Sequence, residues 1–108
     1  MVRVIRGAVH RVDLGDAERG HEQRGRRLGV IVSPPDSPLP VVTIIPTSTS
    51  AGTAINRPAV EIDGQETKLL IDQIRIIDRD YLGKFVQMLT RTDMAALDNT
   101  LGRYLGIG

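Results

Sequence analysis

The segment Ala8-Val-His-Arg-Val-Asp-Leu14 alternates apolar and polar side chains along its length. In an extended chain, Ala8, Val12 and Leu14 fall on one face, and the charged residues between them fall on the other. Alternation with a period of two is typical of a β-strand that buries one face. The segment is therefore predicted to be the first strand of a sheet.

Further short apolar segments follow, separated by turn-forming residues. Four prolines between residues 33 and 40 interrupt any regular pairing, so the runs on either side are separate core strands. The connections are too short for parallel crossovers, which favours antiparallel pairing of five or six strands. After the first strand, apolar segments are predicted at Leu28 to Val32, Val41 to Ile45, Val60 to Ile62 before the turn pair Asp63-Gly64, Leu69 to Ile77, and Phe85 to Leu89.

The end of the chain carries the pattern of an amphipathic helix. Thr92 is predicted to cap its start, and Gly106 is predicted to end it in the left-handed conformation. Short antiparallel strands followed by one helix predict a mainly β protein, a small and strongly curved antiparallel β-barrel. The apolar stripe of the helix recurs at spacings of mostly three and four: Met94, Leu97, Leu101, Tyr104 and Leu105.

The composition excludes several classes of function. With 108 residues, the chain is expected to form one domain over residues 1–108. It has no cysteine and only two histidines, so disulfides, thiolate nucleophiles and zinc sites are not expected, and no cofactor is implied. No apolar run approaches the roughly 20 residues of a membrane span, and Met1 to Arg6 lacks the apolar centre of a signal peptide. A cytoplasmic protein without membrane association is expected.

Positive charge is concentrated at the start of the chain. Residues 1–27 hold seven arginines and four acids, whereas the remainder holds seven bases and nine acids. Twelve of the fourteen basic residues are arginine, whose planar guanidinium suits bidentate contacts with phosphate. Charge alone fits phosphate binding and a solvated basic face equally well.

Four segments resemble, in order and spacing, the MazF/PemK family of toxin endoribonucleases from bacterial toxin–antitoxin systems. They are Arg6-Gly-Ala-Val-His-Arg-Val-Asp-Leu14, Gly20-His-Glu-Gln-Arg-Gly-Arg-Arg27, Val41 to Ser48, and Ile71-Asp-Gln-Ile-Arg-Ile-Ile-Asp78. The resemblance implies an SH3-like, CcdB/MazF-like antiparallel β-barrel and a homodimer. It also implies metal-independent cleavage of single-stranded RNA, and inhibition by a cognate MazE-like antitoxin whose C-terminal segment wraps the toxin.

The same resemblance assigns roles to individual residues. The family's catalytic arginine falls on Arg27 and its active-site threonine on Thr47, with Ser48 as the substitute hydroxyl if the register slips by one. Glu22 and Gln23 match the recurrent acid and amide of the preceding loop. The remaining residues expected at the RNA site are Arg24, Arg26, Asp72, which matches an acidic position used by some relatives, and Arg75.

Metal-free RNA cleavage uses the ribose 2′-hydroxyl as nucleophile and yields a 2′,3′-cyclic phosphate and a 5′-hydroxyl. The protein must align this hydroxyl, accept its proton, stabilise the charge on phosphorus and protonate the leaving oxygen. Arg27 stays protonated and suits charge stabilisation, and Thr47 can donate a hydrogen bond to the same phosphate. For proton transfer, Glu22 is favoured over His10 and His21.

Structural roles compete with these functional ones. Arg27 could form an ion pair with Asp72 or Asp13, and Thr47 could cap a loop. The sequence is equally consistent with two roles for Asp72, a buried hydrogen-bond acceptor that supports the fold and a residue of the RNA site. His10 shares the apolar face of the first strand, which is more typical of a core or interface histidine than of a proton donor.

Three positions depart from the family pattern. Ala8 replaces an acid, His10 an aromatic residue and Leu28 a proline. With two tyrosines, one phenylalanine and no tryptophan, all in residues 81–104, few side chains are available to stack on bases. A non-catalytic RNA-binding or antitoxin-titrating homologue therefore remains an alternative. A gyrase poison is a weaker one, because the tryptophan-containing C-terminal end of that toxin family is missing.

Overall fold

A computed structural model describes residues 3–15, 26–35, 37–52 and 54–108. The predicted site residues Glu22, Gln23 and Arg24 lie outside these ranges. In chain order the elements are β1 (Ala8–Asp13), β2 (Arg26–Ile31), β3 (Val41–Ser48), β4 (Ala59–Ile62), β5 (Gln65–Leu69), a first 3-10 turn (Ile71–Gln73), β6 (Arg75–Asp78), a second 3-10 turn (Arg79–Tyr81), β7 (Leu82–Met88) and α1 (Arg91–Leu105).

The strands form one curled antiparallel sheet in the order β4-β5-β3-β2-β1-β7. β3 is the longest strand, and it pairs with β5 near its end and with β6 near its start. The pairing of β1 with β7 shifts register on both sides of His10, and such irregularities increase the local bend of a sheet. The predicted mainly β fold with a curved antiparallel sheet and a C-terminal helix is confirmed.

Two clusters of buried side chains cover the two faces of the sheet. The first includes Val12 and Ile44, as the alternation in β1 predicts. The second includes Val9 of β1, and Leu97 of α1 packs into the same cluster. Val9 therefore has no exposed surface, although simple alternation would place it on an exposed face, because the helix covers that side of the sheet.

Three details predicted for this sheet can be compared with the structure: one is confirmed, and two differ. The apolar segment Leu69 to Ile77 is divided, because the first 3-10 turn ends β5 before β6 begins. The turn at Asp63-Gly64 is confirmed: both residues have positive φ (54° and 76°), which a two-residue hairpin loop of this type requires. β2 begins at Arg26, two residues earlier than the apolar run, which brings Arg26 and Arg27 into the sheet.

Helix α1 begins one turn earlier than its apolar stripe suggests. The N-cap is Thr90, whose side-chain oxygen accepts a hydrogen bond from the Asp93 backbone N–H at 3.1 Å, so the prediction of Thr92 was wrong. Gly106 ends the helix with φ 76°, as predicted. In the part of the chain that the structure describes, no helix has the length and apolar character to cross a membrane.

Candidate RNA-binding site

Arg27 lies at the edge of an open cavity of about 490 Å³. A volume of this size is typical of sites that bind small ligands or parts of larger ones. Four basic and two acidic side chains line the cavity, so its surface carries a net positive charge. This arginine cavity is lined by Arg11, Val12, Asp13, Arg26, Arg27, Leu28, Asp80, Tyr81, Gly83 and Lys84.

The cavity forms where β2, β1 and β7 lie side by side, although β7 is far from the other two strands along the chain. β1 pairs on one side with β2, which places Val12 opposite Arg27, and on its other side with β7, which places Val12 opposite Leu82. Gly83 permits this close approach, because a Cβ there would lie 3.1 Å from the Arg11 carbonyl oxygen. The sequence around Arg27 carries no indication of these neighbours from β7.

Thr47 and Arg27 lie on opposite faces of the sheet. The Thr47 side chain is buried, and its hydroxyl donates a hydrogen bond to the Leu28 carbonyl oxygen at 3.0 Å. In the antiparallel register of β2 and β3, Thr47 falls across from Leu28 and therefore shares its face. Since Leu28 directly follows Arg27, that face is not the one on which Arg27 lies.

Ser48 follows Thr47 at the end of β3. The last β2–β3 pair is Gly29 with Pro46, and extending this register by two residues places Ser48 across from Arg27. Ser48 is also buried, and its Oγ accepts hydrogen bonds from the backbone N–H groups of Ala51 at 3.0 Å and Ser50 at 3.2 Å. Among the described residues that line the arginine cavity, neither Thr47 nor Ser48 occurs.

Asp72 is held by an arginine from another loop. Arg57 donates from Nε to Oδ1 at 3.1 Å and from Nη2 to Oδ2 at 2.9 Å. These hydrogen bonds lower the pKa of Asp72; a further backbone hydrogen bond and the charge of Arg57 act in the same direction, and burial acts against them. The same contact raises the pKa of Arg57. Asp72 thus fastens the β3–β4 connection to the first 3-10 turn.

Replacing Asp72 with asparagine is expected to lower the free energy of unfolding near neutral pH. Because the folded-state pKa of Asp72 is depressed, its contribution is complete above the unfolded value of about 3.9 and is lost as the pH falls through the lower folded value. Urea unfolding of both proteins from pH 7 to pH 2 measures this difference. It should shrink below about pH 4, and a difference independent of pH would contradict the ion-pair assignment.

Arg75 lines a second, smaller cavity next to the first. This cavity of about 280 Å³ includes Leu14, Ile77 and Asp78 on its other walls. Asp13 and Tyr81 line both cavities, so the two are neighbouring hollows that share these residues. Of the predicted RNA-site residues that the structure describes, Arg26 and Arg27 lie together, Arg75 lies next to them, and Asp72 lines neither hollow.

Sequence reasoning missed three residues of this site, namely Arg11, Tyr81 and Lys84. Arg11 was recognised only as a residue on the polar face of β1, and the other two lie more than fifty positions from Arg27 along the chain. Their proximity follows from the pairing of β1 with β7, for which local sequence carries no signal. Among the described residues, no group of three or more His, Asp or Glu side chains could hold a metal ion.

His10 is a buried residue, 2% exposed, beside an apolar pocket of about 580 Å³. Its Nδ1 lies 2.9 Å from the Gly83 carbonyl oxygen, and its ring meets Phe85 edge-on at 5.6 Å between centroids. Within the described residues, Nε2 has no hydrogen-bond partner. The pocket is also lined by Ile5 and Leu82. Phe85 lies on β7, the edge strand of the sheet, and is half exposed.

Comparison with known proteins agrees with the fold and with the order of these segments. A protein from Mycobacterium tuberculosis named as a candidate toxin, Rv3098A, is 54% identical over 105 residues, covering 96% of this chain and 99% of that protein. An endoribonuclease in complex with its cognate antitoxin, from a mycobacterial species, superposes with a TM-score of 0.79 at 23% identity, with 96% of each chain covered. MazF from Deinococcus radiodurans superposes with a TM-score of 0.80 at 22% identity, with 94% of each chain covered. The profile of the PemK-like, MazF-like toxins of type II toxin–antitoxin systems matches residues 5–105, and this chain belongs to that family.

Proposed function

We propose that this toxin is a metal-independent endoribonuclease that cleaves single-stranded RNA and thereby inhibits translation. The observation that carries the proposal is the position of Arg27, which lines a cavity together with Arg11, Arg26 and Lys84. Such a cluster of cations binds the phosphates of a single strand, and a guanidinium among them can stabilise charge that develops on one phosphate.

The proposed chemistry is attack of the ribose 2′-hydroxyl on the adjacent phosphorus, with loss of the 5′-oxygen. Arg27 is proposed to stabilise the charged phosphorane, and Glu22 to accept the proton of the 2′-hydroxyl and to return it to the 5′-oxygen, which leaves as a hydroxyl. Ser48 replaces Thr47 in this proposal as the hydroxyl that donates to the phosphate, because it lies across from Arg27. Gln23, Arg24, Arg26 and Arg75 are proposed to bind RNA on either side, and Asp72 to act on the site through its loop.

Purified protein mixed with a pool of single-stranded RNA in EDTA tests this function. We expect cuts at defined sequences, and products with 2′,3′-cyclic phosphate and 5′-hydroxyl ends. Sequencing of the new 5′ ends identifies both the cleavage sequence and the class of RNA attacked. RNA that is bound but stays intact would instead support a non-catalytic RNA-binding homologue. If the protein neither binds nor cuts RNA, the remaining alternative is a homologue that titrates the antitoxin.

The expected inhibitor is a MazE-like antitoxin that binds through its C-terminal segment. One structural relative is an endoribonuclease in complex with its cognate antitoxin. Excess positive charge in the arginine cavity favours an acidic segment at the same surface. We propose that antitoxin and RNA compete for this surface in the cytoplasm, so that free toxin acts only after the antitoxin is removed.

A homodimer is also proposed, with the apolar surface around strand β7 at its interface. Phe85 and Met88 are both nearly half exposed at this edge of the sheet, beside the pocket lined by Ile5 and His10. An exposed sheet edge with apolar side chains is typical of a surface that pairs with another chain. The pairing of two copies would cover these side chains.

Replacing Phe85 with glutamate is expected to shift the protein from dimer to monomer. A charge in the middle of an apolar interface has to be desolvated without a partner, which raises the dissociation constant by at least about tenfold. Light scattering after size exclusion, over a range of protein concentrations, measures the shift. The control Ile55→Glu alters an 86% exposed side chain outside this surface and should remain dimeric. An equal effect of both changes, or of neither, would contradict the assignment.

A further inference from the structure

We infer that Tyr81 is a stacking platform for a nucleobase of single-stranded RNA, at the boundary between the arginine cavity and the cavity of Arg75. This inference rests on the proposed function and adds to it a binding residue and the subsite that it forms. Among the described residues that line the two cavities, Tyr81 is the only aromatic side chain.

The position of Tyr81 is unusual for an aromatic residue with a purely structural role. It ends the second 3-10 turn, in which no residue is buried, and 56% of its surface is exposed. Aromatic rings stabilise a core by burying large apolar areas, and this ring remains half in solvent. An exposed ring between two hollows offers a flat surface against which a ligand can pack on either side.

The charges around Tyr81 match the chemistry of a single strand. Arg11, Arg27 and Lys84 line the hollow on one side, and Arg75 lines the hollow on the other. Basic side chains beside an exposed aromatic ring are typical of single-strand binding without strict sequence readout. The site therefore accommodates one unstacked base on the ring while basic side chains hold the phosphates on both sides.

An acidic segment of the proposed antitoxin is the competing occupant of the cations around Tyr81. The four cations of the cavity outnumber Asp13 and Asp80, so they attract the carboxylates of such a segment as well as the phosphates of RNA. The two ligands differ in that only the nucleotide carries a planar base. The ring of Tyr81 also contributes more to the binding of a planar base than to that of a carboxylate.

The chain provides its own spectroscopic probe for this inference, because it contains two tyrosines and no tryptophan. In the Tyr104→Phe variant all tyrosine emission comes from Tyr81, and in the Tyr81→Phe variant it comes from Tyr104. Tyr104 lies on helix α1, partly exposed and outside both cavities, so it is a matched control. Stacking of a base on a tyrosine quenches its emission, and the Tyr104 signal in the other variant corrects for absorption by the added RNA and for effects of binding elsewhere.

Each variant is titrated with mixed-sequence 2′-O-methyl RNA, which lacks the nucleophilic hydroxyl and stays intact during the measurement. We expect saturable quenching of Tyr81 emission and little change in Tyr104 emission. In a parallel binding assay, Tyr81→Leu should raise the dissociation constant by roughly tenfold, within the range known for the loss of one base stack. Tyr81→Phe keeps the ring and should bind within about twofold of the unaltered protein.

The inference would be overturned by unchanged Tyr81 emission at saturating RNA, or by equal affinity of Tyr81→Leu and the unaltered protein. Quenching by an acidic peptide but not by RNA would overturn it as well. Failure of the proposed function gives a different result, in which the protein quenches and binds as expected but leaves cleavable RNA intact. Cleavage with normal kinetics by Tyr81→Leu would leave the function standing and remove only the stacking subsite.

Discussion

Alanine at position 27 should reduce kcat for RNA cleavage by about 10³-fold, the loss typical of removing one charged group that stabilises a phosphoryl transition state. Arg27 is exposed on β2 and lines the cavity, so its truncation leaves the core untouched. We expect the folded dimer to persist, with a change in the free energy of unfolding of no more than about 0.5 kcal/mol. Single-turnover cleavage of a defined RNA, at saturating protein, measures the effect on chemistry apart from binding.

Two further variants make this experiment specific. Arg27→Lys keeps the positive charge but loses the planar fork, so we expect only partial recovery of kcat. Arg91→Ala removes the same charge from an exposed position at the start of helix α1 and should cleave normally. Full activity of Arg27→Ala, or an equal loss in Arg91→Ala, would exclude the assigned role and leave only a general effect of charge on RNA binding.

Leu97→Ala should destabilise the protein by about 2–5 kcal/mol, the usual cost of truncating a fully buried leucine. Leu97 has no exposed surface and packs in the same cluster as Val9 and Ile45, so it joins the helix to the sheet. Truncation leaves a cavity at this contact, because neighbouring strands cannot collapse to fill it without losing their pairing. Urea unfolding measures the change.

The matched control for this prediction lies on the same helix. Leu105 is 50% exposed, and Leu105→Ala removes the same atoms without opening a buried space. Its free energy of unfolding should change by no more than about 0.5 kcal/mol. Both variants are compared at one protein concentration, because the proposed dimerisation would add to apparent stability. Similar losses in the two proteins would contradict the view that the helix is held through Leu97.

Much of the fold follows from local patterns in the chain. Period-two alternation located β1, and the stripe that includes Leu101 located α1. The start of the helix was misplaced because a threonine at either position 90 or position 92 has a backbone N–H three residues later, so the sequence does not distinguish them; in the structure Thr90 is the cap and accepts from the Asp93 N–H. The break within residues 69–77 coincides with Asp72 and Gln73, two polar residues of the first 3-10 turn that interrupt the apolar segment, but their presence alone does not say that the strand ends there.

The candidate site was only partly predictable. The resemblance to the MazF/PemK family led to Arg27, and a one-residue uncertainty in the alignment leaves Thr47 and Ser48 as alternative hydroxyl residues, of which the extended β2–β3 register favours Ser48. Tyr81 and Lys84 reach the cavity through the β1–β7 pairing, a contact between segments about seventy residues apart. Non-local pairing of this kind depends on the whole topology, so no window of sequence around either residue encodes it.

The tight contact at Gly83 gives the cavity a constrained base beside a less constrained border. A Cβ at Gly83 would lie 3.1 Å from the Arg11 carbonyl oxygen, so a larger residue there requires a local shift of the backbone, and the Gly83 carbonyl oxygen already accepts a hydrogen bond from the His10 imidazole. The nearby side chains of Tyr81 and Lys84 extend from exposed positions and line the same cavity. Substitutions at these two positions therefore change the chemistry of the cavity border while the strand between them keeps its shape, which makes them the first positions at which to alter the ligand preference of this cavity.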